Sequence, residues 1–203
     1  GRFGLSNGDP GIMKRKLGKY ILYVGFIRPI KNIVCLVEAF DKLKKSGKIE
    51  HKLVLIGKSK VKYLEDVKKK INERALQDDV IIMENVSRDD LVKFYCGADI
   101  FAFPTLYEGF GLPPLEALAC GVPVVVSNTS SMPEIVGDAG VLVDPYRSDS
   151  VAEGIHKILK DGGQSFAPRG HIEIPQIDTI NLDPTFLRVI EPAQEFRQRR
   201  LSR

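Results

Sequence analysis

The stretch DIFAFPTLYEGFGLPPLEALACGVPVVVS, residues 99–127, is the part of the chain whose reading decides the fold. It opens on an apolar run, DIFAFP (99–104), and closes on another, VPVVVS (122–127). Neither run alternates polar with apolar residues, so each reads as a strand covered on both faces. Between them Pro113 and Pro114 precede LEALAC, and proline is favoured in the first turn of a helix. Strand, loop, helix and strand in succession form the crossover unit of a parallel sheet.

The same alternation extends in both directions. Upstream, YILYVG (20–25), KLVLIG (52–57) and VIIM (80–83) read as buried strands; downstream, GVLVDP (140–145) reads as a sixth. Ile33, Leu36, Val37, Phe40 and Leu43 fall at helical spacing within 31–46, and 61–75 reads as a lysine-rich amphipathic helix. Ser87 opens SRDDLVKFY as an N-cap with Asp90 in the capping-box position, and Ser148 is expected to cap a last helix reaching Lys160. The predicted fold is therefore α/β, a doubly wound, six-stranded parallel Rossmann-like sheet with helices on both faces, over residues 19–160. Ligands of such sheets bind beyond the carboxyl ends of the strands, so the loops at 25–31, 57–60, 84–87, 104–112 and 127–132 are expected to line a site.

Composition bounds the rest. Apolar residues make up 43% of the 203, enough for a full core, and the net charge of +4 is too weak to argue for nucleic acid. No run of about 18 apolar residues suggests a membrane span. Cys35, Cys96 and Cys120 show no metal-ligand spacing and sit in apolar contexts, which predicts buried thiols in a reducing, cytoplasmic setting. All 18 lysines fall at or before Lys160, whereas 161–203 carries six arginines and four of the 12 prolines. That change of style sets 161–203 apart as an irregular tail, and 1–18 as a linker or terminal arm.

Several motifs fail. The loop after the first strand, GFIRPIKN, holds one glycine and two cations, Arg28 and Lys31, where a dinucleotide fold wants G-x-G-x-x-G. GKS at 57–59 follows its strand directly, and Lys52 stands where a P-loop needs glycine. His51, His156 and His171 are scattered, which fits surface or satisfied-core roles. What remains is EGFGLPPLE (108–116). Gly109 and Gly111 let backbone approach a ligand, and the helix that follows turns its positive end to the same place, an anion site suited to phosphate. Arg28 and Lys31 can add charge-assisted contacts to a diphosphate. Glu108 then faces whatever hangs from the diphosphate, and Glu116, a turn into the helix, can accept from a vicinal diol such as a ribose. Taken singly, each of these residues also has a bland reading as helix-start acid, loop packing or solvated cation; the combination at strand ends carries the case.

The run from about Tyr20 to Lys160 resembles the nucleotide-binding C-terminal half of family-4 retaining glycosyltransferases of GT-B architecture. The matching blocks are YVGFIRPIKN, VSRDDLVKFYCGADIFAFPTLYEGFGLPPLEALACGVPVVVSN and SSMPEIVGDAGVLVDP, with the E-x7-E pattern on Glu108 and Glu116. The resemblance implies a nucleotide-diphosphate sugar as donor substrate, no further cofactor, no metal, and transfer with retained anomeric configuration. It assigns Lys31 to the diphosphate, Glu108 to the donor sugar, Gly109, Phe110, Gly111 and Leu112 to sugar and phosphate through backbone, Glu116 to the ribose and Val86 to the base. Gly25, ending the first strand, joins the donor-binding set, and Arg28 joins Lys31 and Glu108 as a candidate catalytic group. Where many members carry arginine directly after the first-strand glycine, this chain has Phe26. The resemblance also implies a partner, an N-terminal acceptor domain that these residues do not include. Any membrane contact would come through that half, and this half alone is expected to bind donor without turning it over. Two rival readings are a sugar-nucleotide epimerase half and a non-catalytic nucleotide-binding module.

Overall fold

A computed structural model of the chain describes residues 12–59 and 61–161; the tail expected at 161–203 lies outside them beyond Asp161, as do residues 1–11 of the expected arm. Six strands, β1 (Tyr20–Val24), β2 (Lys52–Ile56), β3 (Val80–Met83), β4 (Ile100–Phe103), β5 (Val124–Ser127) and β6 (Gly140–Val143), form one sheet in the order β3-β2-β1-β4-β5-β6. Every pairing is parallel. The expected α/β doubly wound architecture is the one observed. The strand order reverses between β1 and β4, and their ladder is short: Ile21 pairs with Ile100 and Leu22 with Phe101, and it stops two residues before β1 ends. The sheet therefore parts at its centre, where a doubly wound fold places its ligand crevice.

Helices α2 (Ile33–Lys45), α3 (Val61–Glu73) and α7 (Ser148–Lys160) cover one face, with α2 against both others; α4 (Arg88–Gly97), α5 (Leu112–Ala119) and α6 (Met132–Val136) cover the opposite face. Strand residues from both faces of the pleat, among them Tyr20, Ile21, Leu22, Tyr23, Phe101 and Phe103, are fully buried. Each such side chain contributes roughly 1.5–3 kcal/mol of burial, which is why the continuous apolar runs fold as central strands. Within the expected arm, Ile12–Leu17 forms a helix, α1, whose Met13 is buried and which packs on α4.

Local expectations were met unevenly. Ser87 caps α4, its Oγ accepting from the Asp90 N–H at 3.2 Å, but the Asp90 carboxylate takes Lys93 at 3.1 Å. Ser148 does not cap α7; it is the first helical residue, and Ser150 Oγ accepts from the Asp144 N–H at 3.0 Å instead. The helix expected from residue 31 starts later. Pro29–Lys31 is a 3₁₀ turn, Asn32 is left-handed (φ 58°), and α2 begins at Ile33. Of the three thiols only Cys120 is fully buried; Cys35 and Cys96 are half-buried.

Candidate functional site

Two loops meet at the parting of the sheet. The one after β1 is held extended. Gly25 donates to the Ile56 carbonyl at 2.9 Å and Ile27 to the Lys58 carbonyl at 2.8 Å, and Ile27 bridges to Ser59. The approach is so close that a Cβ on Gly57 would stand 1.9 Å from the Gly25 carbonyl oxygen, so glycine is required there. The 3₁₀ turn that follows swings the Lys31 side chain inward to 5% exposure, its ammonium 5.2 Å from the centre of the Phe103 ring. Phe103 in turn stacks on Tyr23 at 5.6 Å. The Phe103 ring helps explain how a lysine can be buried beside β4: its charge meets the negative face of that ring.

The loop after β4 is clasped from two sides. Leu106 donates to the Ile30 carbonyl at 2.9 Å, and the buried Thr105 hydroxyl lies 3.1 Å from the Ile30 carbonyl and 2.9 Å from that of Tyr107. Asn32 donates from Nδ2 to the carbonyls of Pro104 (3.1 Å) and Pro145 (2.6 Å), tying three loops together. From the other side Ser130 accepts from the Glu108 N–H at 3.2 Å, and the Ser130 and Ser131 hydroxyls reach the Glu108 carbonyl at 2.5 and 2.9 Å. Glu108 is thereby fixed with its carboxylate in a direct ion pair with the Lys31 ammonium. The two expected groups, 77 residues apart in sequence, are in contact.

The Gly-x-Gly bend divides its work. A Cβ on Gly109 would meet nothing within 4 Å, so open space lies above it. Gly111 is left-handed (φ 78°), and a Cβ there would lie 2.3 Å from the Met132 methyl, so its glycine is structural. Phe110 is half-buried and Leu112 is 38% exposed. The expectation that α5 presents its free amides holds only for Leu112. Pro113 and Pro114 fill its first turn and carry no N–H, so the donors available are those of Gly109 to Leu112.

Glu116 stands apart from the Lys31–Glu108 pair. Its carboxylate accepts from the Tyr95 hydroxyl of α4 at 2.7 Å. Burial pushes its pKa above the ordinary carboxylate value, opposed by the Tyr95 bond and the Arg88 charge. Val86 is half-buried after β3, against the core. Arg28 is exposed and lies over the Phe26 ring at 5.6 Å from its centre. Sequence reasoning missed Asn32, Thr105, Ser130, Ser131, Tyr23 and Tyr95. The Ser/Thr-rich run NTSS (128–131) after β5 was the one visible signal, since such residues bond to nearby backbone. Among the described residues no three His, Cys, Asp or Glu gather as a metal ligand set, and no helix is long and apolar enough to cross a membrane.

A parted doubly wound sheet, with a buried lysine paired with a glutamate and a glycine bend before a helix at its carboxyl edge, defines a Rossmann-like domain. The chain belongs to the glycosyl transferases of group 1, a family that matches residues 11–169. It is 41% identical over 143 residues to O-antigen chain mannosyltransferase B of Escherichia coli, covering 70% of this chain and 37% of that protein. The chain thus spans little more than a third of that relative's length. The C-terminal domain of LpcC, a group 1 glycosyl transferase of Francisella tularensis, has a TM-score of 0.67 at 26% identity, with 78% of this chain and 84% of that one covered. HepE of Anabaena, solved with UDP and glucose, shares the fold with a TM-score of 0.70 at 19% identity over 95% of this chain and 48% of its own.

Proposed function

We propose that this domain binds the nucleoside-diphosphate sugar of a retaining, metal-independent glycosyl transfer, with the acceptor side of the cleft supplied by a second domain. The observation that carries the reading is the Lys31–Glu108 ion pair at the parting of β1 and β4, directly before the Gly109–Leu112 amides. In the free protein Glu108 neutralises Lys31. When a diphosphate enters, the ammonium has a second anion to serve, and Glu108 is left beside the sugar. Charge grows on the diphosphate as the glycosidic bond breaks, and in this reading Lys31, Arg28 and the loop amides stabilise it. Losing one such group typically lowers the rate on the order of 10²–10³. Glu108, anchored through its backbone by Ser130 and Ser131, positions the sugar rather than attacking it. Glu116 has one carboxylate oxygen engaged by Tyr95 and accepts from the ribose diol with the other. Gly25, after β1, and Val86, after β3, are the remaining donor contacts in this reading, Val86 toward the base.

Mannose is the first sugar to test, because the Escherichia coli relative is named a mannosyltransferase. A nucleotide ligand also fits the likeness to HepE, whose structure holds UDP and glucose. The test is a melting series with UDP, GDP, their mannose and glucose conjugates, and the bare nucleosides. A ligand at a hundred times its Kd adds about 2.7 kcal/mol to stability, a readable shift. One diphosphate series should raise the melting temperature while its nucleoside does not. No shift with any member overturns the reading. With an acceptor domain joined on, an α-linked donor should give an α-linked product by NMR, and a β-linked product would exclude retention.

A further inference from the structure

We propose that Phe26 is a positioning residue, whose ring holds the Arg28 guanidinium at the mouth of the crevice as a second cation for the diphosphate. The proposal rests on the reading of that crevice as a diphosphate site. Its warrant is the geometry of three consecutive residues. The bridge between Ile27 and Ser59 continues the β1–β2 pairing past the glycines, so Phe26, Ile27 and Arg28 are extended. Side chains of an extended segment alternate faces. Ile27 is fully buried, which puts Phe26 and Arg28 together on the outer face, and there the guanidinium sits 5.6 Å from the ring centre.

The ring is exposed without being loose. Phe26 is 59% exposed and adds nothing to the core. Its carbonyl accepts from the buried Tyr23 hydroxyl at 3.1 Å, and the next residue donates to Lys58, so backbone on both sides of the ring is pinned. Arg28 also accepts from the Lys31 N–H through its carbonyl at 2.9 Å, which couples its backbone to the turn that buries Lys31. Burial chiefly raises the pKa of the Tyr23 hydroxyl; Tyr63 and Glu108 add to the rise and Arg28 opposes it. Among the described residues Arg28 has no carboxylate partner, which leaves its charge for a ligand and its orientation to the ring. Arg28 and Lys31 thereby differ in kind: one cation is stored against an acid, the other is held ready on an aromatic face.

The experiment is calorimetric titration of the full chain with UDP and GDP and with the matching monophosphates, for wild type, Phe26→Leu, Phe26→Tyr, Arg28→Met and the double variant Phe26→Leu/Arg28→Met. Phe26→Leu should weaken the bound diphosphate about two- to fivefold, the size of an exposed cation–π contact, with a smaller loss for the monophosphate. Phe26→Tyr should restore wild-type affinity, and Phe26→Leu should add nothing once Arg28 is Met. An equal loss from Phe26→Leu in both Arg28 backgrounds would mean that the ring touches ligand itself and would overturn the positioning role. So would a weakening by Arg28→Met with none from Phe26→Leu. If wild type binds no nucleotide, the reading of the site fails first, and that result differs from every outcome in which wild type binds.

Discussion

At the carboxyl edge of the sheet Lys31 meets Glu108; at the amino edge Lys14 meets Asp99 at 2.5 Å. The chemistry is the same and the settings are opposite. Lys31 is buried on an aromatic floor, Glu108 is partly open, and beside them lie loop amides, the space above Gly109 and an exposed arginine. Asp99 instead is fully committed: one oxygen takes Lys14, and the other accepts from the Tyr20 N–H at 3.1 Å with His51 3.7 Å away. The amino-edge pair closes a structure. The carboxyl-edge pair leaves Glu108 partly open, and under the proposed function it holds a charge that a ligand can claim, at some expense in stability, since a buried cation needs its partner.

The sharpest way to break this contrast is Lys31→Met. The ring stack below should accept the thioether, but Glu108 loses its counter-ion and the site its central cation. Affinity for UDP or GDP should fall by roughly 30-fold or more, the range for removing one member of a buried charge contact, while the bare nucleoside loses little. Equal losses for diphosphate and nucleoside, read by titration, would remove Lys31 from the phosphate.

How much of this contrast was legible before folding depends on how local each contact is. The strands announced themselves because Ile21–Tyr23 and Val124–Val126 are apolar on both faces, and the Glu108–Glu116 frame is contiguous in sequence. The Ser87 cap needed three residues, and it formed. By contrast, the partner of Lys31 lies 77 residues away, that of the Asn32 amide 72 and 113 away, and that of Glu116 is on a different helix. Such contacts follow from the strand order, which periodicity does not encode. Helix α1 was missed because IMKRKL has a single buried residue, too little for an amphipathic period. The helix-amide expectation held only in part: Pro113 and Pro114 mark a helix start and delete two of the donors of its first turn, leaving those of Gly111 and Leu112.

Glu116→Gln sharpens the contrast at intermediate size. Burial raises the folded-state pKa of Glu116 above its unfolded value. A group shifted this way stabilises the fold below the unfolded pKa, near 4.5, and that stability is lost as pH rises through the folded pKa. At pH 7 the charged carboxylate is therefore a burden on the fold, which the proposed contact with the ribose would account for. Glutamine can still accept from the Tyr95 hydroxyl. The variant should melt higher than wild type at pH 7, the gain shrinking toward pH 4, while nucleotide affinity drops by roughly 1 kcal/mol as a charged acceptor becomes neutral. A lower melting temperature at pH 7 with unchanged affinity would make Glu116 a structural residue of the α4–α5 contact.

The smallest effect is expected at the amino edge, from Lys14→Met. Lys14 is 46% exposed, and exposed pairs contribute about 0–1 kcal/mol, so the loss at pH 7.5 should lie in that range with nucleotide affinity untouched. The informative variable is pH. Burial lowers the pKa of His51 in the folded state, Asp99 opposes that, and Lys19 and Lys14 reinforce it. A histidine with a depressed folded pKa gives stability that is present above its unfolded value of about 6.5 and lost as pH falls through that value toward the folded one. Removing the Lys14 charge lifts one cause of the depression and leaves Asp99 free to receive a protonated His51. Wild type should therefore lose more stability than Lys14→Met between pH 7.5 and 5.5, and the two melting curves should converge on acidification. Parallel curves would show that His51 does not feel Lys14. A change in nucleotide affinity would show that the two edges are coupled through β1 and β4, and that the division between a closed edge and a working edge does not hold.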